Sequence, residues 1–334
     1  MDERYLWDRS GPVDPEVEKL ENLLGRFRHE RSPLGLPGGR PAGARRLLAA
    51  AVILAGAAGA IWVARSGAAP QWRVERIEGA PLVGSRPVAA ASPLSIGLGV
   101  ETDAVSRAKV GIGRIAEISV GTGSRLRLVK SGPVEQRLAL DRGRISAKIS
   151  APPRLFLVET PSALAVDLGC SYTLEVDPSG AEMLRVETGW VSLERDGRES
   201  IVPAGAVCAT RPREGPGTPY YEDAAPELRR ALELYDFAAG GEEALSVILN
   251  AARRRDGLTL WHLLPRTAGV DREHVYERLA RLVPPPADVT REGALRGDGR
   301  MLELWRWELE GMPLLPREGT FWSFCRKLWF RLAA

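Results

Sequence analysis

The chain has 334 residues, 46 Lys and Arg against 43 Asp and Glu, and a net charge of +3. Its basic residues are scattered among nearly as many acids, which excludes the focused basic face of a nucleic-acid binder. The length accommodates two folded units and a tail, and the three cysteines, Cys170, Cys208 and Cys325, are an odd number that leaves at least one thiol over.

Residues 1–46 open with a helix signal. Asp14 followed by Pro15 is an N-cap with proline at the first helical position. Glu16 and Glu18 in the first turn and Arg26 and Arg28 in the last complement the helix dipole. Val17, Leu20, Leu24 and Phe27 form one apolar stripe, with Leu6 and Trp7 as apolar anchors just before it. A helix of about 14 residues cannot bury such a stripe against itself. The stripe therefore predicts a partner: another protein, a second copy or a membrane surface. The plainer alternative is a solubilising tail with a fortuitous helix. Residues 32–43, rich in Pro and Gly, read as a flexible spacer. With no Cys and only His29, the segment offers no zinc site.

Leu47 to Ala64 is an uncharged run of 18 residues, about 27 Å long as a helix against a hydrocarbon core of roughly 30 Å. It predicts one transmembrane helix over 47–64. Arg26, Arg28, Arg31, Arg40, Arg45 and Arg46 precede it, while Arg65, Arg73 and Arg76 follow. This asymmetry places the N-terminus in the cytoplasm and the bulk of the chain outside it, anchored in the inner membrane. A cleaved signal peptide is disfavoured by the long segment before the run. Ala55 with Gly59, and Gly56 with Ala60, are spaced so that two copies of the helix could pack as a homodimer.

From 71 to 219 the pattern is short alternating runs separated by Gly, Pro and Asp. Ala116 to Val120, Arg125 to Val129, Arg144 to Ile149, Leu155 to Glu159 and Ala163 to Asp167 are examples. Tyr172 to Val176, Met183 to Val186, Trp190 to Glu194 and Glu199 to Val202 continue the series. This is a mainly-β domain, a sandwich or a short solenoid. Cys170 and Cys208 both belong to it, each follows a turn signal, and an extracytoplasmic compartment permits oxidation, so a disulfide between them is expected. The alternative is two small buried thiols.

The same stretch carries an ordered set of signals. Gly123-Ser124 precedes the alternating Arg125-Leu126-Arg127-Leu128, and Asp141-Arg142-Gly143 precedes an apolar strand. Phe156-Leu157-Val158-Glu159-Thr160-Pro161 follows, then Leu168-Gly169-Cys170 before Tyr172, then Val186-Glu187-Thr188-Gly189-Trp190-Val191 and Ala204-Gly205. In this order they resemble the FecR domain, the extracytoplasmic module of sigma-factor regulators. The resemblance covers about 100 residues. It implies extracytoplasmic sensing coupled to a cytoplasmic sigma factor, here through residues 1–46. Two departures stand out: Cys170 replaces the family's usual Thr, and the cytoplasmic segment has Trp7 alone in place of a three-tryptophan region.

Residues 220–334 change to helical periodicity. Leu228, Leu232 and Tyr235 form one stripe, and Leu245, Ile248, Leu249 and Ala252 a second. Asp271 is expected to cap a third, carrying Val275, Leu279 and Leu282 and ended by Pro284-Pro285-Pro286. The pattern suggests a small stack of helical hairpins. The aromatic and basic stretch 321–332 is suited either to a membrane surface or to docking back on the helices.

Chemistry-bearing motifs are scarce. Gly111-Ile112-Gly113-Arg114-Ile115-Ala116 fits a dinucleotide fingerprint as letters, yet strand and turn residues follow where a helix is required. His262 and His274 lack ligands at metal spacing, and neither Ser171 nor Ser192 sits in a nucleophile elbow. The sequence therefore predicts no catalytic residue, cofactor or metal. It points to a membrane-anchored sensing and regulatory protein, or else to an envelope scaffold whose β domain binds protein or polysaccharide.

Overall fold

A computed structural model describes residues 71–310 of the chain. The expectations for 1–46, for the transmembrane run 47–64 and for 321–332 lie outside the described residues. Among the described residues no helix is long and apolar enough to cross a membrane.

Among the described residues, eighteen strands come first. They are β1 (Trp72–Glu78), β2 (Leu82–Val83), β3 (Arg86–Pro87), β4 (Ala91–Pro93), β5 (Gly99–Glu101) and β6 (Arg107–Ile112). Then follow β7 (Ala116–Val120), β8 (Arg125–Ser131), β9 (Gln136–Ile149), β10 (Phe156–Glu159), β11 (Leu164–Asp167) and β12 (Ser171–Val176). The last six are β13 (Glu182–Thr188), β14 (Trp190–Arg195), β15 (Arg198–Pro203), β16 (Ala206–Arg211), β17 (Gly215–Pro216) and β18 (Tyr220–Tyr221). The fingerprint letters at 111–116 are thus the β6–β7 hairpin, with no helix to receive a pyrophosphate.

The strands form two sheets. One runs β4-β1-β6-β7-β9-β12-β13-β16, with β17 and β18 both on β16. The other runs β3-β2-β5-β8-β9-β10-β11-β14-β15. Every pair is antiparallel except β9–β10. The inner faces of both sheets fill one apolar core. Val110, Ile118, Ile145 and Leu174 come from the first sheet, and Leu126, Leu138, Val158 and Leu193 from the second. Alternation follows directly: β7 reads buried, exposed, buried, exposed, buried, as a strand with one face in a core must. Trp72 and Phe156 meet across the sheets with ring centroids 6.0 Å apart, and Trp72 Nε1 donates to the buried Gln136 Oε1 at 3.1 Å.

Strand β9 belongs to both sheets. Gln136–Arg142 pairs with β8 and β10, then Gly143–Ile149 pairs with β7 and β12. The changeover is at Gly143, whose φ of 89° suits glycine alone, and where an added Cβ would overlap Ser124 Cα. Ser124 closes the corner. Its Oγ accepts the Arg144 N–H at 2.9 Å, and its own N–H donates to Thr102 Oγ1 at 2.9 Å.

Among the described residues six α-helices follow: α1 (Pro226–Phe237), α2 (Gly241–Ala251), α3 (Gly257–Leu263), α4 (Gly269–Leu282), α5 (Arg291–Arg296) and α6 (Gly299–Glu310). The stripes read from sequence are buried: Leu228 and Leu232 on α1, Leu245 and Ile248 on α2, and Val275 and Leu279 on α4. Asp271 does not cap α4. The helix begins at Gly269 with Ala268 as N-cap, and Asp271 contributes negative charge within its first turn. Nor is this a plain stack of hairpins. The seven-residue α3 is buried along its whole length and contacts α4 and α6. Tyr276 and Trp305 meet edge to face beside it, at 5.4 Å.

The helical region closes the open edge of the second sheet. Strand β15 pairs with β14 on one side only. On its other side His262 Nε2 lies 3.2 Å from the Ile201 nitrogen and 3.1 Å from its carbonyl oxygen. Arg266, one helical turn further, donates to the Glu199 carbonyl at 3.2 Å and to Ser200 Oγ at 2.7 Å. Together they occupy hydrogen-bonding positions that an additional strand would take, which blocks edge-to-edge pairing. Burial first, then the nearby Arg266, holds His262 well below the usual histidine range, so the ring stays neutral. Asp236 of α1 completes the seam, accepting from the Thr218 N–H at 2.6 Å and from Arg198 at 3.0 Å.

Candidate functional site

The partner-binding residues expected from sequence, Leu6, Trp7, Val17, Leu20, Leu24 and Phe27, lie outside the described residues. The expected Cys170–Cys208 disulfide is corrected: both thiols are free and buried. Register explains why. Cys208 on β16 stands opposite Leu184 of β13, which stands opposite Leu174 of β12. Cys170 is therefore two strands across and four residues along, roughly 16 Å away at ordinary strand spacing, against a bridging limit of about 7 Å.

Each thiol has a structural role instead. Cys170 follows the turn between β11 and β12, and its thiol donates to Asp167 Oδ2. Asp167 Oδ1 accepts the Gly169 N–H at 2.9 Å. Burial pushes Asp167 up to about 7, against the lowering effect of these donors. Burial, then the Asp167 charge, raises the Cys170 thiol far above its ordinary value. Cys208 is pushed up to about 12, again by burial first. Neither thiol is present as a nucleophilic thiolate at neutral pH.

A second buried acid closes one end of the sandwich. Glu182, at the start of β13, accepts the Ser162 N–H at 2.9 Å, and the Ser162 hydroxyl donates to the Gly180 carbonyl. Burial pushes Glu182 up to about 7. Pro161 and Gly180, which flank this arrangement, also line an open cleft of about 370 Å³ with Arg125, Asp141, Arg142, Asp177, Pro178 and Ser179. Its acids are already engaged. Asp141 lies 3.5 Å from Arg125 and 3.5 Å from Arg127, and Asp177 accepts from Ser179 N–H, Ser179 Oγ and Ala181 N–H within its own turn. The cleft is a place for polar contacts, without a nucleophile–base pair. Among the described residues no three of His, Cys, Asp and Glu converge on a metal-sized site. The Asp177-Pro178-Ser179-Gly180 turn lies beside the buried acid, which no pattern in the sequence marks.

Several residues of the family-like signals fall at corners, turns or core contacts of the framework. Ser124 and Gly143 make the corner of β9, and Phe156 packs on Trp72. Thr160 closes the β10–β11 turn by bonding Ala163 in both directions, at 2.7 and 2.9 Å. Gly189 has a φ of 71°, and a Cβ there would overlap the Gly169 carbonyl oxygen. Gly205 donates its N–H to the Val186 carbonyl at 2.8 Å.

No family model matches the chain, and no curated protein matches it. Among solved structures it is similar to two crystal structures of a protein from Parabacteroides distasonis ATCC 8503, provisionally assigned as an anti-sigma factor. Identity is 15% and the TM-score 0.34 for both, and the likeness covers 40% of this chain. The chain spans less than two thirds of those structures, 63% of one and 62% of the other.

Proposed function

We propose that this chain is a membrane-anchored extracytoplasmic binding and sensing protein that resembles FecR and regulates a cytoplasmic partner, by the family's pattern an alternative sigma factor. Residues 47–64 would carry the chain through the inner membrane. The stripe of Val17, Leu20, Leu24 and Phe27 would mask an apolar surface of the partner until released. The observation that carries the reading is the match between signal order and architecture. Ser124, Gly143, Phe156, Thr160, Gly169 and Gly189 follow one another in the family's order and each fixes a corner, a core contact or a turn of the same two-sheet unit. The protonated state of Cys170 and Cys208 favours binding over thiol chemistry.

The test is capture of the tagged full chain from membranes, beside the double variant Leu20→Asp, Leu24→Asp. A sigma factor recovered with the unaltered chain and lost with the variant supports the proposal. Identical proteins in both captures refute the stripe as the contact surface, and recovery of envelope proteins alone supports the scaffold reading.

A further inference from the structure

The interior of the sandwich turns polar at one end. Glu182 lies on the same face of β13 as the core residues Leu184 and Val186, and is 3% exposed. Thr210 on β16 stands directly opposite and is 0% exposed. Glu182 Oε2 and Thr210 Oγ1 both lack a hydrogen-bonding partner among the described residues. Side chains so placed on adjacent strands have Cβ atoms about 4.5–5.5 Å apart, yet these two do not bond each other.

The surrounding groups are already committed. Ser162 gives its N–H to Glu182 Oε1 and its hydroxyl to the Gly180 carbonyl. The Thr160 hydroxyl donates to the Ala163 carbonyl at 2.7 Å and also lies near enough to Glu182 to lower its carboxyl. Arg195, the cation whose charge acts on Glu182, donates to the Pro161 carbonyl at 2.9 Å. A buried carboxylate oxygen and a buried hydroxyl on directly paired residues, neither with a hydrogen-bonding partner among the described residues, are costly.

We propose that one ordered water molecule bridges Glu182 Oε2 and Thr210 Oγ1. A water donates to the carboxylate and accepts from, or donates to, the hydroxyl, so it satisfies both atoms at once. A divalent cation would demand six or so oxygen ligands, where the orphaned pair supplies two. The bridge places the water behind Ser162, whose hydroxyl donates to the Gly180 carbonyl, and Gly180 lines the cleft.

The isosteric change Thr210→Val in the full chain, held in detergent, separates the alternatives by sign. With the water present the variant takes away one of its partners and part of the solvation of Glu182, so the urea midpoint falls. Without it the variant removes an orphaned hydroxyl, and the midpoint stays level or rises; that result overturns the proposal. A second readout does not depend on the variant folding. In the unaltered protein, NMR should show a long-lived cross-peak between water and the Thr210 amide or methyl group, and its absence overturns the proposal equally.

Discussion

Acid should stabilise the described part of this protein, the reverse of ordinary acid denaturation. Asp167 is raised from 3.8 to about 7 and Glu182 from 4.5 to about 7, both by burial. Between the ordinary and the raised values the folded chain holds protons that the unfolded chain has released. Stability therefore falls as pH rises through the window from about 4 to about 7, and is level above it. At about 1.4 kcal/mol per tenfold change, Asp167 removes roughly 4 kcal/mol and Glu182 roughly 3 kcal/mol at neutral pH and above. His262, held neutral by burial, acts in the opposite sense below about pH 6.5, where the unfolded ring takes up a proton, and offsets part of this gain; Asp103 and Asp177, held below the usual carboxylate range by hydrogen bonds from Ser106 and Ser179, oppose it below about pH 4. Urea denaturation of the full chain in detergent should give a higher midpoint near pH 5 than near pH 8, as ~2 kcal/mol or more. Asp167→Asn should raise the midpoint near pH 8, change it little near pH 5, and so flatten the profile. A midpoint that rises from about pH 5 to about pH 8, or a variant with the parent's slope, would refute the reasoning.

Three further outcomes are expected. Gly143→Ala should destabilise the chain by about 3 kcal/mol or more, because a Cβ overlaps Ser124 and the φ of 89° is strained; a denaturation midpoint within error of the parent would contradict this. His262→Ala should cost about 1–3 kcal/mol from the unpaired Ile201 backbone, with a larger loss where the edge of β15 recruits a second chain, seen as concentration-dependent self-association in sedimentation; an unchanged midpoint would show that the edge is covered some other way. Cys170 and Cys208 should resist alkylation in the native protein and both react after denaturation without reductant, since neither is bridged to the other; mass spectrometry of a Cys170–Cys208 linked peptide would contradict the register.

The parts of this fold that alternate were legible. Ala116 to Val120 was read with the limits that β7 shows, and the stripes of Leu228, Leu232, Leu245 and Ile248 predicted the buried faces of α1 and α2. Strands β2 and β3 were not legible, because they are two residues each and carry no period, whereas β6 does alternate and was not read. The first half of β9 was missed as well. Leu138, Ala139 and Leu140 are all buried there, because that half lies in the middle of the second sheet, and a run buried on successive residues gives no alternation. Asp271 looked like a cap because it precedes an apolar stripe, but Gly269 starts the helix earlier. Register, which parts Cys170 from Cys208, is a long-range property that spacing along the chain does not contain. The two buried acids and His262 were invisible for the same reason: what buries them arrives from distant elements, Ser162 beside Glu182 and Ile201 beside His262.

The central claim is that one uncharged run divides the chain between two compartments. Its most direct measurement uses two fusions of a reporter that is active only after export, one joined after Pro70 and one after Arg31. The account predicts activity from the fusion after Pro70 and none from the fusion after Arg31. The reverse pattern, or activity from neither, would contradict both the topology and the regulatory reading that depends on it.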